Sequence, residues 1–192
     1  MKLPSDLDVP LYVKDDFGPF YKATFAEAVR REDMTAVFSE YAWDMNWCDP
    51  CAADPLSRDE LKRLGAFWLA EGDGNAPVMN RGGGSDVFLT RLHVRYDRDH
   101  FPEDLVFQST GDRTNFQARY ILRHPWTGNT QCDGGEAYRK SLRQRQEKEA
   151  ETLAHLTGWN IGDIRRKMGL VAAKVTSPVP QKTPGEKKWW EW

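Results

Sequence analysis

Two cysteines separated by two residues are the strongest candidates for chemistry in this 192-residue chain. Cys48 and Cys51 stand in the string "NWCDPC", which is close to the active-site motif of thiol-disulfide oxidoreductases. A reactive cysteine of that class needs a helix N-terminus directly behind it, because the helix dipole stabilises the thiolate. Here "AADPL" follows Cys51, and a helix start is signalled only at Ser57. The spacing favours a structural disulfide, with a thiol-disulfide oxidoreductase using Cys48 and Cys51 as the alternative.

Cys132 makes the number of cysteines odd. In an oxidising compartment at least one of the three would therefore stay free or pair outside this chain. The disulfide candidates are Cys48, Cys51 and Cys132. A split zinc site is the other possible use of these thiols, but its second half has no paired spacing of its own. The histidines that could complete it are His93, His100 and His124. The sequence thus predicts no metal site and no cofactor.

The string "LAHLTGWNIGDIRRKMG" resembles a helix-turn-helix motif. Ala154, Gly158 and Ile164 occupy the small, turn and β-branched positions of such a motif, and the basic residues 165–167 would lie near a phosphate backbone. The second helix is short and contains Gly162, so two packed helices with a solvated basic edge explain the pattern as well. DNA binding is therefore a second alternative, and nucleic acid is not the expected partner.

The composition is that of an ordinary globular protein, with 40% hydrophobic and 29% charged residues. A net charge of −2 gives no overall field towards nucleic acid or an anionic membrane. No apolar run reaches 18 residues, so no transmembrane segment is expected. The first residues, "MKLPSDLDVP", lack the apolar region of a signal peptide, so we expect none in this chain itself.

In the first half of the chain, residue patterns predict a helix, a strand and a second helix, in that order. Apolar spacing indicates a helix from about Pro19 to Arg31 and a strand over 34–43 that leads into the cysteine pair. Ser57 and Glu60 form a capping box, so a second helix begins at Arg58 and its apolar stripe extends to about residue 70. The glycine-rich residues 71–86 predict a loop.

Three strand patterns follow, over residues 86–96, 104–109 and 115–124. Their connections are too short for crossovers, so we expect an antiparallel meander with one apolar and one basic face. On the first strand the apolar face comprises Phe88, Leu92, Val94 and Tyr96, opposite Arg91, His93 and Arg95.

Two helices complete the predicted fold. A long polar helix over 136–158 ends at Gly158, and a short one runs from Asn160 to about residue 169. The fold class is therefore α+β, an antiparallel meander sheet of about 4–5 strands with packed helices. We expect one domain over 1–169 and a disordered tail over 170–192. The tail carries candidate anchors for a partner, Trp189, Trp190 and Trp192.

Three strings together resemble a known bacterial family: "YAWDMNWCDPCAADPLS", "LTRLHVRYDRDHFPEDLVFQ" and "NFQARYILRHPW". They are similar to the C-terminal half of the proteins catalogued as domain of unknown function 2330, over nearly the whole chain up to its final helix. The resemblance implies an exported protein that is longer than this chain, with a signal peptide and an N-terminal half that has its own cysteines. It implies no reaction, because no activity is established for the family.

The same resemblance implies where the protein acts and what its cysteines do. An exported protein would lie in the periplasm or cell envelope, where thiols oxidise to disulfides. Cys132, or one cysteine of the pair, could then reach the missing N-terminal half. We therefore expect a non-catalytic, extracytoplasmic binding or scaffold domain that is stabilised by cysteine pairing. Its expected partner is the missing half or another envelope protein.

Overall fold

A computed structural model describes residues 1–47, 54–69, 85–128 and 131–170. Its strands are β1 (Leu7–Val9), β2 (Phe38–Asp44), β3 (Phe88–His93), β4 (Phe116–Gln117) and β5 (Tyr120–Leu122). Its helices are α1 (Phe17–Arg31), α2 (Arg58–Arg63), α3 (Asp133–Thr157) and α4 (Ile161–Lys167), and a 3-10 turn covers Leu11–Lys14. The α+β class is confirmed. The division into a domain over 1–169 and a tail stays a prediction, because 171–192 lie outside the described residues.

The strands form two small sheets rather than one. β3, β2 and β4 are antiparallel in that order, and β1 pairs with β5 in parallel. β2 is therefore central, and β3 and β4 both pair with it instead of with each other. Its buried residues Phe38 and Trp43 explain this position, because a strand with apolar side chains along its length gains most between two neighbours.

The strand predicted over 104–109 does not form. These residues have no regular structure, and Val106 is 88% exposed. A short strand is stable only when it can pair and bury one face, and neither happens here. The prediction of a strand at this position is therefore wrong.

A β-bulge interrupts the pairing of β2 with β3. Ser39 pairs with Leu92 and Tyr41 with Arg91, so Glu40 is the extra residue of β2. The amide of Ala118, beyond β4, donates to the Glu40 carbonyl at 2.9 Å and fixes the bulge from the other side. Bulges of this kind redirect a side chain and are common beside functional sites.

In the strand pattern over 86–96, one residue of the predicted basic face packs against α1, and two of the predicted apolar face are exposed. His93 lies against α1, with its ring 5.2 Å from that of Phe25, whereas Leu92 is 39% and Tyr96 72% exposed. Aromatic rings of α1 pack against the imidazole of His93. Arg95 lies on the same side, with its guanidinium over the Phe25 ring and its charge towards solvent.

The signals for helix starts and stops are largely confirmed. Ser57 accepts from the Glu60 amide, and the Glu60 carboxylate accepts from the Ser57 amide, so the predicted capping box is present. Gly158 ends α3 in the left-handed conformation, with φ of 70°, and the Asn160 side chain caps α4. Helix α2, however, ends at Arg63, well before residue 70. The backbone turns at Gly65, where φ is 102°, and the apolar stripe beyond it is not buried.

Three apolar clusters form the core. The largest joins β1, the 3-10 turn, α1, α3 and α4, and its buried members are Val9, Val13, Phe20, Ala150, Leu153, Leu156 and Ile164. A second, around Leu3, Val29 and Phe38, lies at the C-terminal half of α1. A third packs β2 against α2 through Trp43, Met45, Leu61 and Ala66. Within the described residues, no helix combines the length and apolar character needed to cross a membrane.

Candidate functional site

A cavity of about 170 Å³ lies where α1 packs against β5 and the start of the chain. The residues of α1 that line it are Phe17, Phe20, Tyr21, Thr24 and Phe25. Their spacing of three and four residues places them on one stripe of the helix. The opposite wall comprises Leu3, Val9, Val13, Glu40, Ala118, Tyr120 and Leu122. Because Phe17 is 57% exposed, the cavity reaches the surface beside this ring.

Thr24 is the polar residue in the stripe of α1. It is only 4% exposed, and its hydroxyl oxygen Oγ1 is buried with no hydrogen-bond partner among the described residues. A buried hydroxyl without a partner costs about 1–3 kcal/mol. Thr24 therefore places an unsatisfied polar group beside a mainly apolar cavity.

Glu40 brings a carboxylate to the same cavity. The Tyr21 hydroxyl donates to Glu40 Oε2 at 3.0 Å, and His93 Nε2 lies 3.0 Å from the same oxygen. Arg91 Nε lies 3.5 Å from it, on the outer side. The bulge in β2 makes this convergence possible, because it directs Glu40 towards α1 and β3 together.

Two phenols complete the polar part of the lining. Burial raises the pKa of Tyr120 to about 12, and the charge of Glu40 adds to the effect. The pKa of Tyr21 is also raised, first by burial and then by its hydrogen bond to Glu40. Both side chains therefore stay neutral at physiological pH and keep their O–H groups as donors.

This arrangement has the features of a small-molecule binding site. Apolar walls, a few convergent polar groups and a largely preformed shape are the usual features of a small-molecule site. Among the described lining residues, Glu40 is the one carboxylate, and three neighbouring groups already contact its Oε2.

Much of this site lies in the part of the chain that matches a known protein family. A model of the family described as an uncharacterized protein conserved in bacteria, domain of unknown function 2330, matches residues 8–108, just over half of the chain. The chain belongs to this family. The matched range is shorter than the resemblance implied and ends before β4. It contains Tyr21, Thr24, Glu40 and His93, whereas Tyr120 lies beyond it. No curated protein and no solved structure gives a significant match.

The predicted cysteine site is only partly visible. Cys48 and Cys51 lie outside the described residues, so their pairing stays a prediction. Cys132 precedes the first residue of α3 and is an exposed free thiol. Of the histidines weighed for zinc, His93 contacts Glu40, and His100 Nδ1 lies 2.8 Å from Asp97. In the described ranges no three potential ligands cluster as a metal site would require.

The basic residues weighed for DNA binding all have acidic neighbours. Arg165 Nε donates to Glu147 at 2.8 Å, Arg166 contacts Asp163, and Lys167 contacts Asp16. The Lys167 ammonium also lies over the Tyr12 ring. These contacts attach α4 to α3 and to the start of α1.

Sequence reasoning missed both Thr24 and Glu40. A signal was present for Thr24, because it occupies an apolar position of the α1 stripe at which a threonine hydroxyl is unexpected. For Glu40 the pattern "AVFSEYAW" predicts a strand but contains no sign of the bulge. Side chains from α1, β2, β3 and β5 meet here, and no local motif joins them.

Proposed function

We propose that this chain is a non-catalytic binding domain that holds a small, mainly apolar molecule between α1 and β5. The single observation that carries the proposal is the cavity of about 170 Å³ within otherwise packed apolar clusters. Protein interiors are normally filled to the density of organic crystals, so a space of this size loses many contacts unless something occupies it.

The surroundings of Glu40 support the non-catalytic part. Its contacts with Tyr21, His93 and Arg91 hold the carboxylate in place. The Tyr120 hydroxyl can orient a ligand as a donor, whereas the Tyr21 hydroxyl already donates to Glu40 and can only accept from a ligand. In this arrangement the polar groups select and position a guest.

Binding is tested with a panel of benzene, toluene and indole, followed by amide chemical shifts in two-dimensional NMR. We expect shifts to centre on α1 and β5 for at least one probe. Replacing Ala118 with Leu fills the cavity from the connection between β4 and β5 and should abolish them, with the folded spectrum retained. The matched control is Ala137→Leu on the exposed surface of α3, which should bind as the wild type does. Absence of shifts with every probe, or unchanged binding by Ala118→Leu, refutes the proposal.

We also propose that the domain acts outside the cytoplasm, in the periplasm or cell envelope, with an N-terminal half like that of longer family members or another envelope protein as its partner. The support is the resemblance to exported members of the family. Fractionation of cells that express the full native gene tests this location. Recovery of the protein in the cytoplasmic fraction alone would contradict it.

Stabilisation by cysteine pairing is a further part of the proposal. Cys132 is exposed and free, so we expect Cys48 and Cys51 to pair with each other within the segment that joins β2 to α2. Native alkylation with and without reductant, followed by mass mapping, should modify Cys132 at once and the other two only after reduction. Modification of all three without reductant would show that this pairing is absent.

Two further measurements test the alternatives, a thiol-disulfide oxidoreductase and a DNA-binding protein. Turnover of a disulfide substrate together with a Cys48 thiolate that titrates well below the ordinary ~8.5 would support the oxidoreductase. DNA binding predicts a complex at low salt that weakens when Arg165 and Arg166 are replaced by Ala. Both alternatives stay predictions.

A further inference from the structure

The size of the cavity limits its guest to about one ring. An engineered protein cavity of about 150 Å³ lined by apolar side chains binds benzene. The space beside α1 is about 170 Å³, so it fits a six-membered ring with one small substituent. Nucleotides and peptides are too large for it, and a sugar ring would bury several hydroxyls against mainly apolar walls.

The walls favour a flat aromatic ring. Five aromatic side chains line the cavity, and the rings of Phe20 and Tyr120 meet edge to face with centroids 4.9 Å apart. Aromatic pairs of this geometry gain energy beyond the area that they bury. The ring of a bound guest can pack edge to face against these side chains in the same way.

Thr24 requires a polar group on that ring. Its Oγ1 is buried and has no partner among the described residues, so a purely apolar guest would leave it unsatisfied. Threonine divides between two χ1 rotamers in a helix, so rotation about this bond turns the hydroxyl towards a guest. A guest hydroxyl can both donate and accept, and it would then give this oxygen the hydrogen bond that it lacks.

Charge decides which polar group is suitable. An anionic guest would lie next to the Glu40 carboxylate and be repelled. A cationic guest would have to leave water and compete with Arg91 and His93, which already contact Glu40. A neutral hydroxyl avoids both penalties.

We propose that the ligand is a small neutral phenol, held with its ring packed against Phe20 and Tyr120 and its hydroxyl at Thr24. This inference depends on the proposed binding function, since it names the ligand class of the same cavity. Tyr21 and Tyr120 line opposite walls of the cavity, and their hydroxyls add polar contacts around the entering group.

Four probes of similar size test the ligand class: p-cresol, toluene, benzylamine and benzoate. Dissociation constants from calorimetry or NMR titration at pH 7 should rank p-cresol about tenfold tighter than toluene, which corresponds to one hydrogen bond. Benzylamine and benzoate should bind more weakly than both.

The variant Thr24→Val keeps the shape of the side chain and removes the hydroxyl. We expect it to bind p-cresol and toluene equally, while the unliganded variant is as stable as the wild type or more so. Thr90→Val is the matched control, because Thr90 is exposed on the opposite face of β3. It should keep the tenfold preference.

The outcomes separate failure of the ligand class from failure of the binding function. If toluene binds the wild type as tightly as p-cresol, or benzylamine binds tightest, the phenol class is wrong although the cavity binds. A preference that survives Thr24→Val overturns the role of Thr24. If none of the four probes binds, the ligand class and the binding function fail together.

Discussion

The two ends of strand β2 differ in how their surroundings are assembled. At the cavity end, Phe38–Glu40, the neighbours of Glu40 come from α1 and β3, which are distant in sequence. At the cysteine end, Trp43–Trp47, the chain turns locally, and the Trp43 indole donates to the Trp47 carbonyl at 2.9 Å. The recognisable motif, the cysteine pair, follows the cysteine end of β2, whereas the candidate binding cavity lies at the other end. A local motif is therefore a poor guide to where a fold assembles a binding cavity.

The largest effect is expected from Phe20→Ala at the cavity side. Phe20 is 1% exposed and packs edge to face on Tyr120. Truncation of a buried Phe costs about 3–5 kcal/mol of unfolding free energy. Urea denaturation measures the loss, which a ring-shaped ligand should partly restore by filling the enlarged cavity. A loss below about 1 kcal/mol would mean that the cavity region is not a packed core.

Leu61→Ala probes the cysteine end with the next largest effect. Leu61 is fully buried against Trp43 and Met45, so we expect a loss of about 2–4 kcal/mol. Leu64→Ala is the control, because Leu64 is 62% exposed and its truncation should change stability by less than about 0.5 kcal/mol. The affinity for the cavity probe should not change in either variant. A changed affinity in folded Leu61→Ala would show that the two ends of β2 are coupled.

Ser57→Ala removes the cap of α2 and tests a purely local signal. The Ser57 side chain accepts from the Glu60 amide, so the change should cost about 1 kcal/mol. Thermal denaturation gives the value, with the exposed Ser109→Ala as a neutral control. An unchanged melting temperature would mean that α2 contributes little to the stability of the cysteine end.

The smallest effect is expected from Glu27→Gln on α1, where the side chain lies beside Gly158 at the end of α3. Hydrogen bonds from Arg30 and Arg31 lower the pKa of Glu27 from 4.5 to about 2. A lowered folded-state pKa gives stability that is present above pH 4.5 and is lost as pH falls towards 2. At pH 7 the variant should lose no more than about 1 kcal/mol.

Urea denaturation between pH 7 and 2 measures this pH dependence. The difference between wild type and Glu27→Gln should shrink below pH 4.5 and disappear near pH 2. Glu151→Gln is the control, because the Glu151 side chain is 66% exposed and lies 3.9 Å from Arg165. A difference for Glu27→Gln that stays constant down to pH 2 would contradict the lowered pKa.

Much of the secondary structure could be predicted because its signals are local. The capping box at Ser57, the end of α3 at Gly158 and the cap of α4 at Asn160 depend on a few neighbouring residues, and each is confirmed. The strand expected over 104–109 and the long α2 failed for a shared reason. Apolar spacing predicts an element only if a partner covers the apolar side, and Phe107 and Trp68 remain 66% and 67% exposed.

The sequence by itself determined the α+β class and where most helices begin and end, since backbone capping and turn chemistry depend on a few adjacent side chains. Only the tertiary structure decided that β2 is central, that β3 turns His93 towards α1, and that a bulge brings Glu40 to Tyr21. Such contacts join residues that are tens of positions apart. Their geometry depends on register and packing, which no short pattern specifies. The cavity beside Thr24 is the product of that packing.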